Sequence, residues 1–344
     1  MRRKTTWVAI IGWLAFVGTG IAQDAGDVPH KLVKTSTVQS SSVASESLLL
    51  PIKCDQDGKV YLQFMGDPMA PAEDTKSVTR ISRKAEVDAQ FALKDASLGD
   101  QYTGRDYAID SDGQVAMLAE TPEGYTVVRF DKDGKFKSKF LLEDRLRPFQ
   151  LALFKSGQLL IAGTETPSEG APERGAVPFT AIFDESGKML KEVSLEDDKQ
   201  FTKGALEGDS RYVPSGNHNT NRAVTLGESV SGEDGNVYVM RWASPAIVYV
   251  ISPGGAVLRK LTIDPHEEEM RPRSLFLSKG RVAIQFADSK EPLLIVANAE
   301  SGKVEGTYSA NLELGGGLAC YSTEEVTFVG NKDGKLALHF AQLQ

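Results

Sequence analysis

The sequence predicts an all-β fold, a single six-bladed β-propeller of four-stranded antiparallel blades. Three observations predict it. A unit of about 40–50 residues repeats along the chain, the length of one propeller blade. Each copy alternates apolar strands with turns closed by Gly. Helical periodicity is nearly absent beyond the first two dozen residues.

The chain opens with a basic start, Arg2, Arg3 and Lys4, followed by the uncharged apolar run Val8–Ala22. Gly20 and Ala22 are small residues placed for cleavage before Gln23. This is the layout of a secretory signal peptide, and the run is shorter than the ~20 residues of a spanning helix. Residues 1–22 are therefore expected to be removed, leaving 23–344 as one domain without stable membrane insertion, secreted or periplasmic. The whole chain carries 39 basic and 47 acidic residues, a formal charge of −8. All charges in 1–22 are basic, so the remainder is more acidic still, which argues against nucleic acid as a partner.

The clearest unit spans Asp106–Glu143, with DYAIDSDG, QVAMLAET, YTVVRFDKDG and KFKSKFLLE as its successive pieces. Similar units begin at FQLALFKSG (149–157), VSGEDG (230–235) and RSLFLSKG (273–280). A more degenerate one begins at LLLPIKCDQDG (48–58). The last unit, from LACYSTE (318–324) to KLALHFAQL (335–343), is one strand short. HKLVKTSTV (30–38) has the pattern of a final strand, so it is expected to complete that blade and close the ring without exposed edges. Five units plus this composite give six blades; strands hidden in the polar segment 197–222 would make seven. On this strand–DG–strand rhythm the chain resembles six-bladed propellers of the NHL-repeat and TolB-like kind over most of 30–344. The resemblance implies architecture and says little of function. Such propellers serve as binding platforms, and some six-bladed relatives are metal-dependent lactonases or lyases.

The DG turns at Asp55–Gly58, Asp110–Gly113, Asp131–Gly134 and Lys332–Gly334 look like fragments of calcium loops, but they lack the third acidic position and the closing Glu. Tight hairpins explain them instead, through positive φ at Gly and the Asp side chain bonding its own backbone. Cys54 and Cys320 fall on the first strands of the first and last blades, neighbours in a closed ring. They are either two buried thiols or a disulfide suited to an oxidising compartment. His30, His218, His266 and His339 have no metal-ligand spacing, and no nucleophile elbow, CxxC pair or P-loop occurs.

If the DG turns join strands one–two and three–four, they share one face. The long insertions Gly66–Ser77, Gly163–Val177 and Asp197–Arg222 then lie on the other, where binding usually lives. Arg211, Tyr212, Asn217 and His218 cluster in one of them. Arg105, Arg147, Arg271 and Arg273 precede innermost strands, near the channel mouth, where they suit a carboxylate or pair with the protein's own acids. Arg241 and Trp242 end a second strand near the same face, as a stacking surface or as packing. The expected function is a non-enzymatic platform for a protein, peptide or small anionic ligand. A lactonase or lyase with one divalent cation is the alternative, with Asp106, Asn217 and Glu228 among its candidate oxygens. No other cofactor is predicted.

Overall fold

A computed structural model of the chain describes residues 29–44, 48–64, 77–99, 101–166, 177–195, 226–241, 244–266, 270–287, 292–309, 314 and 317–344. They form β-strands and one 3-10 turn at Leu93–Ala96. Strand β1 is His30–Ala44. Four four-stranded antiparallel sheets follow in chain order. The first holds β2 (Leu48–Cys54), β3 (Val60–Phe64), β4 (Val78–Ile81) and β5 (Val87–Phe91). The second holds β6 (Thr103–Ile109), β7 (Val115–Thr121), β8 (Gly124–Phe130) and β9 (Phe136–Leu141). The third holds β10 (Leu146–Leu153), β11 (Leu159–Glu165), β12 (Val177–Phe183) and β13 (Met189–Glu192). The fourth holds β14 (Leu226–Ser231), β15 (Val237–Arg241), β16 (Ala246–Ile251) and β17 (Val257–Ile263).

The remaining strands are β18 (Arg271–Ser278), β19 (Arg281–Ala287), β20 (Leu293–Asn298), β21 (Val304–Ser309), β22 (Gly317–Tyr321), β23 (Glu325–Lys332) and β24 (Lys335–Leu343). With β1 they form one eight-stranded sheet ordered β18-β19-β20-β21-β1-β24-β23-β22. The sequence leads one to expect six separate four-stranded sheets, and here the structure differs. The physical reason is β1. It pairs antiparallel with β24 from Leu32 opposite Leu343 to Ala44 opposite Lys335. Its first residues, His30 and Lys31, also run parallel to Tyr308 and Ser309 of β21, which fuses the two four-strand groups. The closing strand is longer than 30–38, because Gln39 still faces Ala337 and its amide donates to Lys332 O.

Burial follows strand position. The middle strands β7, β16 and β20 are buried almost throughout, whereas β9 and β13 are mostly exposed. The apolar core divides into clusters between successive sheets. Tyr61 and Phe91 meet Tyr107 and Phe130, Leu118 and Val127 meet Leu151 and Phe183, and Phe154 and Ile182 meet Val239 and Tyr249. Val248 and Ile263 meet Ile284 and Phe286. The two halves of the eight-stranded sheet bury Phe276 and Leu294 against Tyr321 and Phe328. The last strands then pack Leu338 and Phe340 on Ile52 and Leu62 of the first sheet. The series returns to its start, which is the closed arrangement of a propeller.

The Gly-closed turns serve a second purpose beyond hairpin geometry. Gly134 (φ +83°) packs so tightly on β5 that an added Cβ would lie 2.2 Å from Gln90 O. Gly187 (φ +88°) lies against the Phe140 ring of β9, where a Cβ would come within 2.3 Å of a ring carbon. Each turn thus covers the outer strand of the preceding sheet, a protected edge. The Lys332–Gly334 turn is different, because it joins β23 to β24, a second strand to a third. The sequence pattern alone puts it on one face with the other DG turns; the structure puts it on the opposite one.

Candidate functional site

The first strands β2, β6, β10, β14, β18 and β22 carry the chemistry. Every one contains a register shift against its second strand: at Leu49/Lys53, Gly104/Asp106, Pro148/Gln150, Leu226/Ser229, Pro272/Ser274 and Leu318/Cys320. Such bulges bend a strand and re-aim its side chains. Here they turn polar groups inward. Asp106, Glu228 and Lys53 are only 7 %, 9 % and 7 % exposed.

These groups tie one sheet to another. Leu151 N donates to Asp106 Oδ2 at 2.7 Å, second sheet to third. Ser229 Oγ donates to Leu151 O at 2.8 Å, third to fourth. Leu275 N donates to Glu228 Oε2 at 2.8 Å, from β18 to β14. Leu318 N donates to Gln285 Oε1 at 3.1 Å, across the two halves of the large sheet. The Tyr107 hydroxyl lies 2.8 Å from both Pro51 O and Tyr61 O, linking the first sheet to the second. The Cys54–Cys320 disulfide, with Cα atoms 5.4 Å apart, joins the last strands to the first. Lys53 reaches across, its ammonium donating to Ser229 O at 3.0 Å.

Burial raises the Asp106 carboxyl above its ordinary range, against the Lys53 charge and its backbone N–H bonds. Glu228 is pushed up to about 7, chiefly by burial, with the Asp106 charge adding to it and Lys53 and Leu275 N–H opposing. The sign of the pH effect follows. An unfolded Glu ionises near its ordinary value of 4.5, so between there and about pH 7 the native state holds a proton that the unfolded chain has lost. The stability Glu228 contributes is full at low pH and is lost as pH rises towards 7. Glu228→Gln should keep the acceptor for Leu275 N and remove this dependence. Urea titrations between pH 5 and pH 8 should give a wild-type loss exceeding the variant's by about 2–3 kcal/mol. Parallel pH profiles would contradict the assignment.

The arginines sit within the first halves of the inner strands rather than before them. Arg105, Phe149 and Arg273 are the residues skipped at their bulges, and all three are exposed. Arg105 Nε donates to Glu120 Oε2 at 2.6 Å. Arg147 donates to Leu146 O at 3.1 Å and covers the Tyr125 ring at 5.8 Å. Arg271 is exposed and donates to Met270 O at 3.4 Å. Arg241 is interior instead, 2 % exposed and 5.3 Å over the Tyr249 ring. Arg211, Tyr212, Asn217, His218 and Trp242 lie outside the described residues. Arg105, Arg147, Arg271 and Arg273 thus stand exposed on the inner strands, whereas Arg241 is buried on β15.

Sequence reasoning missed Lys53, Tyr107 and Phe149. A lysine in the apolar run LLLPIKC was the available signal for the first. The other ends of the inner strands differ in charge. An open depression of about 340 Å³, counted out to the solvent, is lined there by Asp55, Asp110, Glu233 and Cys54. Asp55 and Asp110 are committed to their own turns, each accepting two backbone N–H bonds on Oδ1. Among the described residues no three His, Cys, Asp or Glu side chains gather where they could hold a metal ion.

Sheet order, core and axial links define the chain as an all-β protein of the propeller class. No protein-family model and no curated protein matches the sequence. Solved structures are similar at low identity. A virginiamycin B lyase from Staphylococcus aureus has 13 % identity and a TM-score of 0.43, over 90 % of this chain and 99 % of that one. TolB from Acinetobacter baumannii has 11 % identity and a TM-score of 0.41, over 81 % and 66 %. A protein of unknown function from Bacteroides caccae has 12 % identity and a TM-score of 0.45, over 82 % and 94 %.

Proposed function

We propose that this chain is a six-bladed propeller of an oxidising compartment, and that it acts as a non-enzymatic binding platform through the face where the arginines emerge. The eight-stranded sheet is read as two blades joined through β1. Its halves bury a core between them, and the β1–β21 pairing involves only two residues of each strand. The closing strand, the disulfide and the signal-like residues 1–22 together support export as one secreted or periplasmic domain.

One observation carries the functional reading. The axial carboxylates are spent on structure, since Asp106 and Glu228 each hold a backbone N–H of the next sheet. A catalytic divalent site needs several oxygens converging with free lone pairs. An axis bolted in this way leaves the faces for function, and the partner is a protein, a peptide or a small anionic ligand. A divalent-metal-dependent lactonase or lyase is the second reading. What favours it is Glu228, whose carboxyl near 7 suits general acid–base work.

Thermal unfolding separates the two. The platform reading expects the same midpoint in EDTA, calcium, magnesium or zinc. A midpoint that falls with EDTA and recovers with one ion would mean that the native state binds metal, and would transfer the assignment to the enzyme.

A further inference from the structure

We propose that the arginine-bearing mouth is a docking site for an acidic peptide segment that carries an apolar side chain. The proposal rests on the platform reading above and adds the partner's chemistry. Its basis is the bulge pattern. The skipped residue is Arg105 in β6, Phe149 in β10 and Arg273 in β18, and each lies in the first half of an inner strand. Equivalent irregularities in three sheets thus bring two guanidinium groups and one aromatic ring to the same end of the ring. Arg147 and Arg271 stand two residues before Phe149 and Arg273, and all four are exposed while Pro148 and Pro272 between them are buried.

Phe149 is 47 % exposed, a large ring two positions from Arg147, which a ligand with only charge would leave wet. A partner with only apolar groups would make no use of the cations. A peptide offering both satisfies both, through charge-assisted bonds and burial of the ring. The Arg105–Glu120 pair does not block this. Its side chains are 48 % and 37 % exposed, and ion pairs so open to water are worth little, so an incoming carboxylate can replace Glu120 at small cost. The setting adds direction. The chain as a whole carries −8, and the opposite mouth is lined by Asp55, Asp110 and Glu233. Those carboxylates disfavour an acidic segment at the opposite mouth.

The test is fluorescence anisotropy with a labelled pool of short peptides of alternating glutamate and leucine or phenylalanine. One control pool has glutamine for glutamate, and another has alanine for the apolar residues. The acidic–apolar pool should bind at low salt and weaken about tenfold or more in molar salt. Arg105→Glu with Arg273→Glu should weaken it at least about tenfold, and Phe149→Ala about three- to tenfold at either salt. Lys132→Glu with Lys155→Glu, on the hairpin turns, should leave it unchanged. The milder Arg105→Gln with Arg273→Gln serves if charge reversal perturbs folding. No binding by the acidic–apolar pool, equal binding by all three pools, competition by free acetate or citrate alone, or indifference to the arginine variants would overturn the proposal. If it fails while the midpoint stays insensitive to divalent ions, the peptide assignment falls and the platform stands. A metal-dependent midpoint would overturn the platform itself.

Discussion

Lys53→Met should lower the unfolding free energy by about 3–5 kcal/mol, the cost of removing one partner from a buried charge group. Lys53 is buried and its charge opposes the upward shift of both Asp106 and Glu228. Methionine keeps the length of the side chain and its contact with the Tyr107 ring, which Lys53 Nζ approaches to 5.8 Å. What it removes is the cation and the bond to Ser229 O. The two carboxyls then have only backbone N–H groups to stabilise their charged forms, so both shift further up. The loss should be smaller near pH 5, where a protonated Glu228 adds no uncompensated charge, and larger near pH 8. Urea titrations at the two pH values check this. A change within about 1 kcal/mol at pH 8, the size of an exposed pair, would mean that the axis is wet.

The second large effect concerns closure. Replacing Cys54 and Cys320 together by serine should cost about 3–5 kcal/mol, because the bond closes a very long loop in the unfolded chain. The two residues are 266 positions apart, and they join the first sheet to the last strands, which otherwise meet through Ile52, Leu62, Leu338 and Phe340. Wild type in reductant should then unfold at the same urea concentration as the double variant. The closing strand β1 should keep both folded, since its pairing with β24 does not depend on the sulfurs. Equal stability of oxidised and reduced protein would mean that the bond adds nothing to closure.

The propeller class was readable because blade architecture is written in local pattern. Repeated apolar strands and turn glycines such as Gly134 and Gly187 appear in every window, and their positive φ is a local demand. The fusion of two four-strand groups was not readable, because His30 and Lys31 meet Tyr308 and Ser309 across most of the chain. The Lys332–Gly334 turn looked like its counterparts, since a DG hairpin has the same sequence at either end of a blade. Bulges explain most of what was missed at the axis. One extra residue breaks the period of two, so Asp106 and Glu228 fall inward although a strict alternation gives no reason for it. Arg241 shows the reverse. At the end of VYVMR it reads as a strand end near the surface, yet it packs on Tyr249 in the interior. Lys53, Asp106 and Glu228 come from three sheets, and no spacing in the sequence announces that they share one electrostatic environment.

Amide hydrogen exchange at Leu151 and Leu275 tests the structural role of the axis most directly. Their N–H groups are the donors to Asp106 and Glu228. If the carboxylates bolt the inner strands together, both amides exchange only through global unfolding, with the free energy that urea titration gives. Fast exchange at both, at the rate of exposed turn amides, would reveal an axis open to water and would contradict the account.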